Sequence, residues 1–340
     1  RRGYQFKEKD NYNFHLKQGA LKNYKQLLGD SIQFWDTLMA HTDYDGWWKA
    51  RDARRAAYNI EAAVLVVGGT FDAEDCFGAW NLYKAIEKQN PGINNKIVMG
   101  PWFHGGWHRG EGTHLGNVRF GSKTSLYYQD EIEFPFFQHH LNNKGDDKKI
   151  AEATVFFTGE NKWRLLNTWP PKIQATPFYF HSGQKLGPAK PQDAAAFSAY
   201  ISDPAKPVPY TEDVHLGRTR EYMSDDQRFA ARRPDVLIFS TEIFDQDLTL
   251  AGPVTADLKV ILGSSDADFV VKIIDVFPDD FAYDSTVCCK GQKPETEMAG
   301  YQMLVRGEIF RGKYRRSFET PTAFEPGKMD SLSFELPDIA

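Results

Sequence analysis

The chain of 340 residues is long enough for two domains and a sizeable core, and its 41 basic against 46 acidic residues leave a formal net charge of −5, with no basic field to attract nucleic acid. Hydrophobic residues make up 41% and aromatics 14% at a mean hydropathy of −0.53, the composition of a globular enzyme or binding protein, and no apolar run approaches the roughly 18 residues of a membrane helix. Three cysteines, Cys76, Cys288 and Cys289, cannot build a disulfide framework and leave the redox compartment open.

Residues 1 to about 60 read as helical, because Leu, Tyr, Trp and Met recur there at mixed three- and four-residue spacings. From about 61 the pattern changes. "AAVLVVGG" is a short continuous apolar run of the kind shown by a parallel strand buried on both faces. "AEDCFGAWNLYKAIEKQN" then places Cys76, Ala79, Trp80, Tyr83 and Ile86 near helical spacing, Pro91-Gly92 stops it, and a second run, "KIVMG", ends in "PWFHGGW". Strand, helix, strand with short connections is the signature of an α/β sheet. A last helix fits "LYYQDEIEFPFFQHHLNN", with Pro135 kinking it or starting its final segment. From about 151 onward, short alternating runs ("ATVFFTG", "TPFYF", "DVLIFST", "LTLAGPVTADLKVIL", "DFVVKIIDVFP") separated by Gly, Pro, Asp and Asn predict an all-β sandwich or jelly roll.

In open α/β sheets the chemistry lies beyond the carboxyl ends of the strands. Two consecutive predicted strands each end in a titratable group, Asp72 after "VLVVGGTF" and His104 after "KIVMGPWF". An Asp and then a His, each on the loop after its own strand, is the order of the last two triad members in the α/β-hydrolase fold. In those roles Asp72 would orient the imidazole, and His104 would take the nucleophile's proton and return it to the leaving group. Each also has a plainer reading: Asp72, Glu74 and Asp75 as acids capping the following helix, and His104 as an ordinary loop histidine. The serine is not evident. No Gly-x-Ser-x-Gly pentapeptide occurs, and "GDSIQ" places Ser31 inside a helical pattern with no strand before it. The nucleophile is expected upstream of residue 1. The start at Arg1-Arg2-Gly3-Tyr4, without an initiator Met or a signal segment, predicts processing or further sequence on that side.

The segments "GGTFDAEDCFG", "GPWFHGGWHRG", "YISDPAKPVPY", "DQRFAARRPDVLIFST" and "DADFVVKIIDVFPD" resemble the CocE/NonD group of serine hydrolases, over nearly the whole chain. That group takes in cocaine esterase, glutaryl-7-aminocephalosporanic acid acylase-like proteins, α-amino acid ester hydrolases and, more distantly, X-prolyl dipeptidyl peptidases. The resemblance implies a helical cap remnant over 1–60, the C-terminal part of an α/β-hydrolase domain over 61–150, and a jelly roll, truncated at its end, over 151–340. The chain is then an internal piece of a longer enzyme, and its first partner is the remainder of its own hydrolase domain. By the same resemblance Asp72 and His104 are the catalytic pair, and Glu74 and Asp75 stand at the plus-two and plus-three offsets of a carboxylate cluster that receives a substrate's α-ammonium group. Trp102 and Trp107, with Phe103, are candidate walls of an acyl pocket.

The expected activity is hydrolysis of small-molecule esters or amides of α-amino acids, with possible transfer of the acyl group to an amine such as a β-lactam nucleus. No metal or organic cofactor is expected, nor any nucleic-acid or membrane partner. Relatives imply a periplasmic or secreted homo-oligomer. The rivals are an acylase or esterase for acyl groups without an amine, an X-prolyl dipeptidyl peptidase-like enzyme, and a non-catalytic binding protein. Asp266 and Asp268 in "SSDADF" read as a turn before a strand, His139-His140 as a solvated helix end, and Cys76 as a small buried hydrophobe.

Overall fold

The computed structural model describes residues 8–172, 174–192, 196–215, 217–282 and 298–340; Cys288 and Cys289 lie outside them. The N-terminal part is helical as the spacings predict, in short pieces: α1 (Asn11–Gln18), α2 (Tyr24–Leu28), α3 (Gln33–Ala40) and α4 (Gly46–Lys49). Asp10 caps α1 through the amide of Asn13, and Asp45 caps α4 through those of Trp47 and Trp48.

The α/β part follows with β1 (Val64–Gly69), α5 (Cys76–Gln89) and β2 (Asn95–Gly100). The hairpin β3 (His114–Leu115) and β4 (Val118–Arg119), and the helices α6 (Thr124–Tyr128) and α7 (Phe134–Asn142), lead on to β5 (Ala153–Phe157) and β6 (Lys162–Leu166). A π-helical segment, Gln129–Glu133, joins α6 to α7, and Pro135 sits in the first turn of α7. The proline therefore starts the last segment, directly after a π-helical stretch that continues the helix into it.

The strands form one sheet in the order β1-β2-β5-β6. The first three are parallel and β6 closes the edge antiparallel. The sheet thus continues past residue 150, since β5 and β6 belong to it. All five residues of β5 are buried, and a short apolar strand of that kind reads the same in either domain. One face of the sheet packs Val66, Ile97, Met99 and Val155 against Trp80, Tyr83 and Ile86 of α5. The other packs Val98 against Trp102, Tyr128, Ile132 and Phe136. Trp80, with no exposed surface, stacks on Trp169 at 4.5 Å between ring centroids.

In the remaining part, β7 (Tyr179–His181) and β8 (Lys185–Gly187) form a small hairpin, and a single turn, α8 (Arg228–Ala231), precedes β9 (Gly252–Ile261), β10 (Asp268–Val276), β11 (Gln302–Arg311) and β12 (Met329–Ile339). β9 pairs antiparallel with β12 and β10 with β11. The two pairs enclose one apolar cluster that includes Ala256, Phe269, Val271, Phe310, Leu332, Phe334 and Leu336. The region is thus mainly β, as expected, although "DVLIFST" forms only a single bridge, between Ser240 and Lys185. A second cluster joins Phe71, Phe120 and Phe156 to Met223, Tyr301, Met303 and Leu304, and so seats the β region directly beside the loop that follows β1.

Candidate active site

The loops after β1 and β2 are laced together before either presents a side chain. Thr70 N–H donates to Gly100 O at 2.8 Å, and Phe71 N–H donates to Trp102 O at 3.2 Å. Gly69 makes this approach possible: a Cβ there would stand 2.1 Å from the Trp102 carbonyl oxygen. The glycine pair that ends the apolar run is therefore a packing requirement of the site.

On this base Asp72 and His104 meet. Asp72 Oδ2 and His104 Nδ1 are 2.9 Å apart. A carboxylate can only accept, so Nδ1 carries the proton and Nε2 is left as the basic nitrogen. Asp72 Oδ1 accepts the backbone N–H groups of Glu74 at 2.7 Å and Asp75 at 3.0 Å. A side chain only 2% exposed thus has its charge compensated on both oxygens. Asp72 thus closes the turn that leads into α5, whose N-cap position is held by Asp75, while its other oxygen faces His104.

The His104 side chain is 48% exposed, and its Nε2 has no hydrogen-bond partner among the described residues. Ser125 Oγ donates to Gly106 O at 3.1 Å and Gln129 Nε2 donates to Trp107 O at 2.8 Å, so the loop that bears the histidine is tied to α6 and the segment after it.

The other expected residues divide. Trp107 is half-buried with its ring 6.5 Å from that of His104, edge to face, and stays a candidate wall. Trp102 does not: it is 2% exposed, donates Nε1–H to Thr124 Oγ1 at 2.9 Å and packs on Tyr128 and Trp163, so it belongs to the core. Aromatic rings flanking a loop histidine give no sequence signal of which one turns inward. Phe103 is partly buried beneath the Arg220 guanidinium, 5.1 Å from its ring. Asp75 is exposed beside Asp72, and partial burial together with the charge of Asp72 pushes its carboxyl above the usual aspartate range. Glu74 is exposed and ion-paired with Arg218 from the β region.

Two basic residues of the site have no local motif. Arg218 is one. The other is Arg306 on β11, 2% exposed, whose Nη1 donates to Thr70 O at 2.6 Å. Val305 bulges out of the ladder, so that Ile273 pairs with Arg306 but Ile274 with Leu304. A bulge re-aims the side chain next to it, here toward the loop of Asp72. No carboxylate lies within ion-pairing distance of Arg306 among the described residues, and its buried Nε lacks a partner. Alternation alone would not single it out.

The remaining candidates stay outside this chemistry. Ser31 lies in an exposed turn between α2 and α3. Cys76 is buried at the start of α5, and burial pushes its thiol up. Asp266 and Asp268 are engaged by Arg311, which fits the turn reading.

The arrangement is a buried carboxylate, a histidine oriented by it, and an exposed basic nitrogen on the far side, and it can take a proton from a hydroxyl placed there. Residues 143–340 match the family described as the X-Pro dipeptidyl-peptidase C-terminal non-catalytic domain, and residues 4–106 match X-Pro dipeptidyl-peptidase (S15 family). Cocaine esterase of Rhodococcus sp. (strain MB1 Bresler) is 26% identical over 323 residues, 91% of this chain and 51% of that protein. Among solved structures, an aminopeptidase from the marine sediment archaeon Thaumarchaeota archaeon superposes with a TM-score of 0.90 at 33% identity, over 99% of this chain and 55% of its own. An α-amino acid ester hydrolase superposes with the same TM-score of 0.90 at 30% identity, over 99% of this chain and 55% of its own. The chain spans about half the length of these relatives.

Proposed function

Because the chain belongs to the CocE/NonD family of serine hydrolases, we propose that it carries the aspartate and histidine of an enzyme hydrolysing esters or amides of α-amino acids. The catalytic serine comes from a part of the hydrolase domain outside this chain. Its hydroxyl stands at His104 Nε2, which removes the proton as oxygen attacks the acyl carbon and returns it to the departing alcohol or amine. Asp72 holds the tautomer and stabilises the imidazolium. Water, or a competing amine, then releases the acyl group by the reverse sequence.

The observation that carries the substrate class is the placement of Glu74 and Asp75. Their amides are pinned to the carboxylate that orients the base, so their charges stand within a few residues of the reacting centre. An α-ammonium group is the cation that every α-amino acyl substrate brings to that position. Glu74 is already ion-paired with Arg218, with the two side chains 52% and 38% exposed. Such a pair is worth only about 0–1 kcal/mol, so an ammonium can exchange for the guanidinium. The names of the two solved relatives at 30% and 33% identity, an α-amino acid ester hydrolase and an aminopeptidase, support the same class. The paired strands β9–β12 and β10–β11 around one apolar cluster support the reading of the C-terminal region as a jelly roll.

The double variant E74Q/D75N of the full-length protein tests this. Turnover of amino esters falls selectively while that of simple esters persists; equal effects on both would reduce the two acids to helix capping.

A further inference from the structure

At the C-terminal end of α7 the fold gathers three groups that the hydrolytic chemistry leaves unused. His139, His140 and Asp147 each offer one ligand atom, and these atoms all lie within 4.8 Å of one another. His140 Nε2 is 3.0 Å from Asp147 Oδ2, and His139 Nε2 is 3.8 Å from Asp147 Oδ1. Nitrogen and carboxylate donors bound at the usual 2.0–2.1 Å to a tetrahedral ion stand about 3.3 Å apart, a value between the two spacings. Side-chain rotation that draws the two imidazole nitrogens, within 4.8 Å of each other, toward the carboxylate brings all three onto one centre.

The surroundings are built in the way metal ligands usually are. His139 Nδ1 is 3.2 Å from Gly145 O. A carbonyl can only accept, so Nδ1 carries the proton and the Nε2 lone pair is directed at the carboxylate. Asn94 Nδ2 donates to Asp147 Oδ2 at 2.8 Å, the oxygen that also faces His140, and so holds the carboxylate in place. The backbone brings the two segments together. Asn143 and Gly145, at φ of 51° and 78°, turn the chain back over the helix end, and Asp147 opens the turn that leads into β5. The side chains of His139, His140 and Asp147 are 36%, 23% and 13% exposed, so water can reach the cluster.

We propose that His139, His140 and Asp147 form a divalent transition-metal site of the zinc type, which ties the end of α7 to the connection into β5, with a water molecule completing the coordination. Two imidazoles and a single carboxylate suit Zn2+ and not Mg2+ or Ca2+, which take oxygen donors. The plainer alternative is a helix end closed by a His140–Asp147 hydrogen bond without any ion.

Full-length protein stripped with a chelator and titrated with ZnCl2 in a calorimeter separates the two. The expected result is one Zn2+ bound per chain through this site, with Co2+ giving the visible absorption bands of a tetrahedral complex. H140Q and D147A each weaken binding by more than about tenfold, and N94A by about tenfold through the second layer of contacts. Mg2+ and Ca2+ do not compete. H140Q nearly preserves the side-chain volume, and intact ester turnover shows that it folds. Absence of stoichiometric zinc binding, or binding undiminished in both H140Q and the H139A/D147A double variant, overturns the proposal.

Discussion

Asp72 and His104 face each other across 2.9 Å, and the same carboxylate takes two backbone amides on its other oxygen. Replacing Asp72 by Asn keeps the shape but offers an N–H where only an acceptor serves, so the imidazole is no longer held with Nε2 free. D72N in the full-length protein is expected to lower kcat by roughly a thousandfold or more. Removal of His104 should cost a similar factor, and the double variant little beyond either single one, because the two act as a unit. Steady-state kinetics on one ester check all three, and additive losses would contradict the pairing.

Asp75 should make amino-ester recognition sensitive to pH. Its carboxyl is raised by burial and by the Asp72 charge, and only the ionised form attracts an ammonium. KM for an amino ester therefore climbs as pH falls through a range above the ordinary aspartate value, while KM for an uncharged ester does not. Stability runs the opposite way: a carboxyl raised on folding binds its proton more tightly in the native state, so stability declines as pH rises through the window between the unfolded and folded values. D75N should therefore raise Tm at neutral pH, and the gain should vanish in acid below the ordinary aspartate range. Melting curves at the two pH values read it.

Gly69 tests the lacing of the two loops. G69A places a methyl group 2.1 Å from the Trp102 carbonyl oxygen, a backbone atom that cannot rotate away. We expect a stability loss of about 1–3 kcal/mol from the forced displacement. Whatever folds should also lose turnover, since the displaced loops carry Asp72 and His104. Wild-type kinetics in a folded G69A protein would show that the close approach is dispensable.

Arg306 should matter to the rate although it is far from Asp72 in sequence and lies in the β region. Its hydrogen bond to Thr70 O, at 2.6 Å, holds the loop two residues before Asp72. R306M is expected to reduce kcat by about tenfold to a hundredfold, as small misplacements of a catalytic group do, with KM for a simple ester little changed. R306K, which keeps the charge without the planar fork, should recover only part of the loss. An unaltered kcat in R306M would make this arginine a support of the domain contact alone.

On the proposed reading, Arg218, which is ion-paired with Glu74, competes with substrate for it. R218Q removes the competitor and is expected to lower KM for amino esters a few-fold, within the roughly 1 kcal/mol an exposed pair provides, and to leave des-amino esters unaffected. A higher KM for amino esters would mean that Arg218 positions Glu74 instead.

Local patterns in the sequence held the parallel strands, the helix between them and the order of Asp72 and His104, because a doubly buried strand is a continuous apolar run and its loop follows directly. They did not tell which tryptophan turns inward: Trp102 and Trp107 have the same chemistry, and the choice was made by Thr124 and Tyr128 from a later helix. That β5 joins the parallel sheet was not legible for a similar reason, since its place is set by its pairing with β2 and not by its composition. Arg218 and Arg306 were invisible because each acts across long stretches of chain, and the aim of Arg306 depends on a one-residue bulge that no residue type announces.

The central claim, that the acids after Asp72 read a substrate's α-ammonium group, is tested most directly by kcat/KM of the full-length protein on phenylglycine methyl ester and on phenylacetic acid methyl ester, which lacks only the amine. The account predicts a preference for the amino ester of about a hundredfold or more, equivalent to about 2.7 kcal/mol. Equal values on the two esters would contradict it.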